Sequence, residues 1–274
     1  MPEAHERSEL TVTPRVLDLP FDGLPRYWMA GKAVPTHISN AVNLLFPLGE
    51  RFFVRSVKHF FREIDEPTLR AQVKGFFGQE GRHAHEHERM FATLEQQGYE
   101  IRKFLRAYER IAFEMIEPRF GREMALAVTV ALEHYTAIMA EGALQHGVLE
   151  HADARVRALL LWHAAEEIEH KAVAFDVLQR VNPSYALRMG GLTIATLGLA
   201  GFWFAAVIML LRQEKDLSWR EILRQLRGDK RESIATRVFL RGIREYIRRD
   251  FHPWQNDNYE LAREHLASLA NAAA

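Results

Sequence analysis

Residues 161–177 read LWHAAEEIEHKAVAFDV, and this stretch decides the expected fold. It carries the pattern Glu-x-x-His at Glu167 and His170, in a run whose apolar residues recur at helical intervals. At about 100° per residue, two positions three apart lie on one face of a helix with a rise of about 4.5 Å. A carboxylate and an imidazole can therefore point at one metal ion, and one helix supplies half of a site.

The same pattern occurs a second time in residues 76–88, FFGQEGRHAHEHE, at Glu80 and His83. A single Glu-x-x-His on a charged helix is common and usually marks a solvated face. Two copies, each with a matching glutamate upstream, favour metal binding over that simpler interpretation.

Two glutamates in apolar surroundings supply the further carboxylates. Glu50 lies in LFPLGERFFVR and Glu133 in LAVTVALEHYTAIM, where an unpaired carboxylate would be costly to bury. Glu50 precedes Glu80 by 30 residues and Glu133 precedes Glu167 by 34, which suits one helix, a turn and the return along a neighbouring helix. Order and spacing together predict two metal ions between four antiparallel helices.

Two histidines near the motifs have open roles. His163 lies within an arc of about 60° of Glu167 and His170 and is a candidate seventh ligand. The rise from His163 to His170, about 10.5 Å, is long for a compact site unless a bulge shortens it. His87 is interpreted as a side chain outside the ligand set that supports a ligand.

Other polar residues of these stretches are expected outside the site. Glu166 and Glu169 should face solvent or pair with nearby Arg or Lys, and His134 should point away from Glu133. Asp176 either holds a ligand imidazole in its tautomer or forms a surface salt bridge. An exposed charged stripe is expected at His85, Glu86 and Glu88.

The composition limits the partners and the metal ligands. The chain has 36 basic and 36 acidic residues in 274, so no overall field favours nucleic acid as a partner. It has no cysteine, which leaves histidine and carboxylate as the strong metal ligands. The first ten residues, MPEAHERSEL, are charged and do not resemble a secretory signal, so a cytoplasmic protein is expected.

Helical periodicity begins near residue 37 and predicts an all-α fold. Long helices are expected over 39–63, 67–98, about 100–147 with an interruption at Pro118 and Gly121, and 152–181. This gives an N-terminal arm (1–36), mobile or extended over its first 20 residues, a four-helix metal-binding bundle (37–186), and an apolar helix with C-terminal helices packing on the bundle (187–274).

Residues 189–211 contain no charge and are long enough as a helix, roughly 34 Å, to cross a bilayer core. Seven Lys or Arg follow within 20 residues and would put that side in the cytoplasm. A crossing would then export the bundle, although no export signal precedes it. The conflict favours a helix buried against the bundle or lying at the inner face of the membrane, with a spanning helix as the weaker alternative.

Four stretches, FPLGERFF, FFGQEGRH, WHAAEEIEHKAVAFDV and FHPW, resemble the family of predicted metal-dependent hydrolases within the ferritin-like superfamily. The spacing of His163, Glu167 and His170 is also similar to that of di-iron p-aminobenzoate N-oxygenases, in which an extra histidine joins two Glu-x-x-His units. This second resemblance is confined to ligand spacing and implies oxygen activation without naming a substrate. Carried onto this chain, it implies iron ligands at Glu50, Glu80, His83, Glu133, His163, Glu167 and His170.

The leading hypothesis is a ferritin-like di-iron oxidase or oxygenase that activates O2 to oxidise a hydrophobic small molecule. It needs an electron donor that the sequence does not name, and a manganese–iron pair suits the same ligands as two irons. The alternatives are a metal-dependent hydrolase that uses a metal-bridging water and a non-enzymatic iron- or oxygen-binding protein. A homodimer is compatible with each.

Overall fold

A computed structural model describes residues 11–145, 147–227 and 236–273, and every regular element in these ranges is helical. The predicted all-α class is confirmed. The helices are α1 Ala33–Asn43, α2 Phe46–Lys58, α3 Pro67–Gln96, α4 Arg102–Tyr108, α5 Arg122–Gln145, α6 Ala154–His170, α7 Val173–Val181, α8 Tyr185–Leu211, α9 Trp219–Arg227, α10 Gly242–Tyr246 and α11 Tyr259–Ala273.

The first long helix expected from the sequence is wrong in its continuity. Residues 39–63 do not form one helix, because α1 ends at Asn43 and α2 begins at Phe46. Pro47 stands in the first turn of α2, where its missing N–H removes no intrahelical bond. The amide of Leu45 closes α1 by donating to the carbonyl of Val42 at 2.9 Å. The proline therefore starts a new helix whose direction places Glu50 toward the core.

The other long helices differ from expectation mainly at their interruptions. The segment from residue 100 contains a π-helical stretch, Glu109–Ile116, which the sequence pattern did not predict. The helix expected over 152–181 breaks after His170, where the buried Lys171 leaves the helix and donates to the carbonyl of Asn256 and to Asn258 Oδ1, both at 2.6 Å. A distant turn of the chain supplies these acceptors, so no local breaker residue marks the break.

Four helices surround the centre of the molecule. Helix α2 packs against α3, and α5 packs against α6, while α2 also contacts α5 and α3 contacts α6. A hydrogen bond between the hydroxyls of Ser56 and Thr129, 2.7 Å long, ties α2 to α5 inside the core. Apolar residues such as Phe52, Phe76 and Leu126 fill the space beside it. The polar residues named below lie within this apolar frame.

Helix α8 carries the long apolar segment and packs on the bundle with one face only. A Cβ at Gly191 would stand 2.5 Å from the carbonyl oxygen of Ala127, so glycine permits the close approach to α5. The indole of Trp203 donates to the carbonyl of Ile38 in α1 at 3.0 Å. On the outer face, Leu197 and Phe204 are 71% and 67% exposed. The expectation of a helix buried against the bundle therefore holds for one face of this segment and not for the other.

Length and composition alone make α8 the one described helix that could cross a membrane, and 22% of its most apolar window is buried. Length and composition do not by themselves assign a span, because the core helix of a soluble protein can have the same length and composition. Its partial burial matches a helix with one side on the protein and one side free.

Candidate metal centre

All seven candidate ligands meet in one buried cluster, and each of the four central helices contributes at least one. Every one of these side chains is 5% exposed or less. The cluster consists of Glu50 from α2, Glu80 and His83 from α3, Glu133 from α5, and His163, Glu167 and His170 from α6.

The donor atoms form overlapping groups rather than two separate halves. Glu50, His83 and His163 make one group, and Glu80, Glu133 and His170 make another; within each, the donor atoms lie within 4.8 Å of one another. A third group, Glu80 with His83 and Glu167, joins the two. The first two groups could each hold a metal ion, and Glu80 and Glu167 belong to the group that joins them.

The distances show how closely the middle carboxylates approach the imidazoles. Glu167 Oε1 lies 2.9 Å from His163 Nε2, 3.5 Å from His83 Nδ1 and 3.6 Å from His170 Nε2. Glu80 Oε1 lies 3.1 Å from His170 Nε2 and 3.8 Å from His83 Nδ1. One carboxylate oxygen therefore stands beside all three imidazoles.

Buried polar atoms without a hydrogen-bond partner indicate whether the donor set suits a metal. Among the described residues these atoms include both oxygens of Glu50, Glu80 and Glu133, one oxygen of Glu167, and the inward nitrogens of His83 and His170. Glu80 Oε1 and His170 Nε2 are within ion-pair distance, at 3.1 Å, but form no hydrogen bond. Buried polar atoms are normally paired, and here the unpaired ones share one space. Carboxylate oxygens and imidazole nitrogens suit iron, manganese and zinc. The residues present fit a bound metal pair.

His163 reaches the cluster although no helix bulge shortens the rise between His163 and His170. Helix α6 is a continuous α-helix through His170, and the His163 ring stacks on His83 with centroids 4.1 Å apart. His163 Nε2 is 3.7 Å from Glu50 Oε1. His163 belongs to the group with Glu50 and His170 to the group with Glu133, so the long rise between them separates two groups of donor atoms along one helix.

In the metal-free cluster, burial and neighbouring charges raise the pKa of some carboxyl groups and lower that of another. Burial, with Glu80 nearby, raises the pKa of Glu50 well above its ordinary value, and burial raises the pKa of Glu133 to about 8. Burial would also raise the pKa of Glu167, but His170 and His163 outweigh it and lower that pKa well below its ordinary value. Several carboxyls thus hold protons that metal ions would displace.

The pKa values of the imidazoles also shift in opposite directions. Burial alone would lower the pKa of His83, but hydrogen bonds to Glu166 and Glu167 and the charge of Glu80 raise it to about 10. Burial and the neighbouring His83 lower the pKa of His163 to about 4, so His163 is neutral at neutral pH. A neutral imidazole offers the lone pair that a metal needs.

Each imidazole has a partner for its outward nitrogen. His83 Nε2 donates to Glu166 Oε2 at 3.0 Å, and His170 Nδ1 donates to Gln79 Oε1 at 2.7 Å. His163 Nδ1 lies 2.5 Å from His87 Nε2, so His87 supports a candidate ligand from outside the set. Such contacts select the ring tautomer and leave the inward nitrogen free for a metal.

The sequence interpretation missed the importance of Glu166, Glu169 and Gln79. Glu166 is fully buried and Glu169 is 5% exposed, so the expectation that they face solvent is wrong. The alternative, pairing with a basic residue, is what the structure shows, and the partner is Arg15, at 3.1 Å from Glu166 and 2.8 Å from Glu169. No local pattern identifies a partner some 150 positions away.

The remaining polar residues are placed outside the cluster. Asp176 pairs with His252 at 3.1 Å and does not hold a ligand imidazole. His134 turns away from Glu133 and donates to the carbonyl of Gly242. The expected exposed stripe is wrong at Glu86, which is 6% exposed and accepts from Arg89.

Among the described residues, two of the clefts lie outside the cluster. The larger, about 430 Å³, lies between α2 and the π-helical stretch and includes Arg55, His59 and Phe113 in its lining; the smaller, about 140 Å³, is bordered by Val12, Glu169 and others. Neither is lined by any of the seven candidate ligands.

A family model described as predicted metal-dependent hydrolase matches residues 13–257. The chain belongs to this family. The matched region of this metal-dependent hydrolase family member includes the whole cluster, Arg15 and helix α8. No curated protein and no solved structure matches the chain.

Proposed function

We propose that this protein is a metal-dependent hydrolase whose centre holds two divalent ions between α2, α3, α5 and α6. The observation that carries the proposal is the convergence of four carboxylates and three imidazoles, most of whose inward atoms lack hydrogen-bond partners. Membership of the metal-dependent hydrolase family supports hydrolysis as the reaction. Two bound ions would lower the pKa of a water between them and polarise the bond to be cleaved.

The chain's own residues hold the ions and shape their surroundings. Glu50 and His163 would bind at one position, and Glu133 and His170 at the other, with Glu80 and Glu167 between the two. This donor pattern is similar to that of ferritin-like two-metal bundles. The carboxylates in the middle would be able to bind either ion.

Aromatic side chains enclose the imidazoles. The ring centroid of Phe46 lies 4.7 Å from His163, that of Phe76 lies 5.0 Å from His170, and Trp162 contacts His83 at 4.9 Å. These rings exclude bulk water and strengthen electrostatic interactions within the site. They also favour a substrate with an apolar part next to the bond that reacts.

The zinc-loaded protein is expected to hydrolyse esters or amides that carry apolar groups, with no reductant present. Metal-assisted hydrolysis uses the ion as a Lewis acid and involves no change of oxidation state. A panel of chromogenic esters, amides and phosphoesters would be assayed with zinc-loaded protein and with the Glu133→Gln variant. Turnover that zinc supports and the variant lacks would support the proposal, whereas turnover equal in the two proteins would contradict it.

A second candidate, O2 activation by a di-iron or manganese–iron centre, is favoured by the donor set itself. Four carboxylates with only nitrogen and oxygen donors suit iron and manganese, and the closed apolar surroundings admit a small apolar molecule such as O2. The substrate would again be an apolar small molecule, with an external electron donor. If stopped-flow mixing of the ferrous protein with O2 gave oxidation no faster than free ferrous iron, this candidate would be excluded.

We also propose that the protein docks peripherally on an anionic membrane surface through α8 and α9. Leu197 and Phe204 stand exposed on the outer face of α8, and Trp219 of α9 is 78% exposed. The exposed cations Arg212, Lys215, Arg220 and Arg224 lie on the same stretch of chain and complement acidic headgroups. Lys230 and Arg231, two of the seven basic residues noted in the sequence, lie outside the described residues.

Phe204→Glu is expected to reduce binding to vesicles that contain acidic phospholipid. A carboxylate inserted among apolar contacts opposes both burial and the negative headgroups. Co-sedimentation would compare zwitterionic and anionic vesicles, with Val16→Glu as control, because Val16 is similarly exposed, at 73%, and belongs to neither α8 nor α9. Equal binding by both variants would contradict the proposal, as would a homodimer in solution that covers Leu197 and Phe204 and binds no vesicles.

A further inference from the structure

The N-terminal segment of residues 11–15, the N-terminal strap, has no regular secondary structure and lies against α3. Two glycines of α3 make room for it. A Cβ at Gly75 would overlap the carbonyl oxygen of Val12 and come within 2.7 Å of its Cβ, and a Cβ at Gly78 would overlap the ring of Pro14. The strap therefore lies in a channel that side chains on α3 would close.

Backbone and side-chain hydrogen bonds fix the strap to the outside of the metal centre. The amide of Thr13 donates to Glu169 Oε2 at 3.1 Å, and Gln79 Nε2 donates to the carbonyl of Thr13 at 3.2 Å. Gln79 Nε2 also donates to Glu169 Oε2 at 2.5 Å. The strap, α3 and α6 thus share one hydrogen-bond network.

Arg15 is the cation of this network. Its guanidinium donates to Glu169 at 2.8 and 3.0 Å and to Glu166 at 3.1 Å. Both carboxylates are buried while the Arg15 side chain is 31% exposed, so the arginine reaches them from the surface. Two buried carboxylates on one helix face repel each other unless a cation bridges them.

Two separate paths run from Arg15 to the imidazoles. One passes through Glu166, whose other oxygen accepts from His83 Nε2 at 3.0 Å. The other passes through Glu169 to Gln79, whose amide oxygen accepts from His170 Nδ1 at 2.7 Å. The two imidazoles belong to different proposed metal positions. Arg15 can therefore influence the ring orientation at both positions through the side chains between.

We propose that Arg15 is a positioning residue for the metal centre, acting on His83 and His170 through the side chains that it holds. The inference rests on the proposed two-metal centre. It adds a residue from outside the four central helices that fixes the orientation of ligand imidazoles. With Arg15 in place, Glu166 and Gln79 present fixed acceptors, and the imidazoles keep their inward nitrogens aimed at the ions. Removing a side chain that hydrogen-bonds to a ligand imidazole typically weakens metal affinity by about 10- to 100-fold.

Arg15→Gln is expected to weaken zinc or cobalt binding by about 10- to 100-fold, measured by competition with a chromogenic chelator. Arg15→Lys should recover part of the affinity, because it restores the charge without the two-pronged geometry. The matched control is Arg26→Gln. Arg26 lies in the same N-terminal region and pairs with the buried Glu214, which belongs to a different cluster.

A second pair of variants moves the strap and leaves Arg15 intact. Gly75→Ala should lower metal affinity, because the new methyl group pushes Val12 away, although alanine is the better helix former. Gly81→Ala is the control on the same helix, since a Cβ there meets nothing within 4 Å. The visible spectrum of the cobalt-loaded protein should change in Arg15→Gln and Gly75→Ala and stay as wild type in both controls.

The outcomes separate the inference from the proposed function. Loss of affinity and an altered cobalt spectrum in the strap variants alone would support it. Wild-type affinity and spectrum in Arg15→Gln would overturn it while the metal centre stands, and so would equal losses in Arg15→Gln and Arg26→Gln, which indicate general destabilisation. A wild-type protein that retains no metal would refute the proposed centre, and this inference with it.

Discussion

Glu167→Ala is expected to abolish retention of both metal ions while most of the helix content remains. Glu167 Oε1 lies within 3.6 Å of the inward nitrogens of all three imidazoles, so its removal takes a carboxylate from both positions at once. Alanine is the best helix former and leaves α6 intact. Elemental analysis of the protein purified without added metal would measure the ions per chain, with circular dichroism for helix content.

The control for this variant is Glu264→Ala, which removes an exposed glutamate of α11. It should keep the wild-type metal content and melting temperature. Retention of two ions per chain by Glu167→Ala would refute the assignment of this ligand. Loss of helix in both variants would instead point to a fold that is near its stability limit.

Removing the metal is expected to lower the melting temperature by about 10 °C. A ligand at a thousandfold excess over its dissociation constant stabilises the native state by about 4 kcal/mol, and in proteins of similar size each kcal/mol shifts the midpoint by about 2–4 °C. Without ions, the buried carboxyls Glu50, Glu80 and Glu133 lack partners for their oxygens. Calorimetry before and after dialysis against a chelator would measure the shift.

Adding the metal back supplies the control for this second prediction. Zinc should restore the melting temperature of the wild-type protein and leave that of Glu167→Ala unchanged. Equal midpoints for the metal-free and metal-loaded wild type would contradict a buried two-metal centre, because binding to the native state alone must stabilise it.

Local geometry made much of the site predictable. The angular relation of Glu167 and His170, and of Glu80 and His83, follows from three residues on a regular helix. Glutamates in apolar helices, Glu50 among them, stand out because an unpaired buried carboxylate is unfavourable. Such features depend on near neighbours in the chain, which a sequence displays directly.

The errors came from contacts between distant segments. The break after His170 depends on acceptors from Asn256 and Asn258, and the burial of Glu166 depends on Arg15. The division of the first helix is a partial exception, because Pro47 was visible in the sequence and its effect on the helix start was overlooked.

The amino-acid sequence by itself determined the helical class, the family resemblance and the seven side chains that converge, because helix periodicity and ligand spacing are local properties of the chain. Tertiary structure alone decided that Glu80 and Glu167 belong to the group joining the other two groups of donor atoms, that α8 keeps one face free, and that Arg15 reaches the network around the imidazoles. The physical reason is that each of these depends on how packed helices bring together residues far apart in the chain. No spacing along one segment encodes which distant side chain will arrive there.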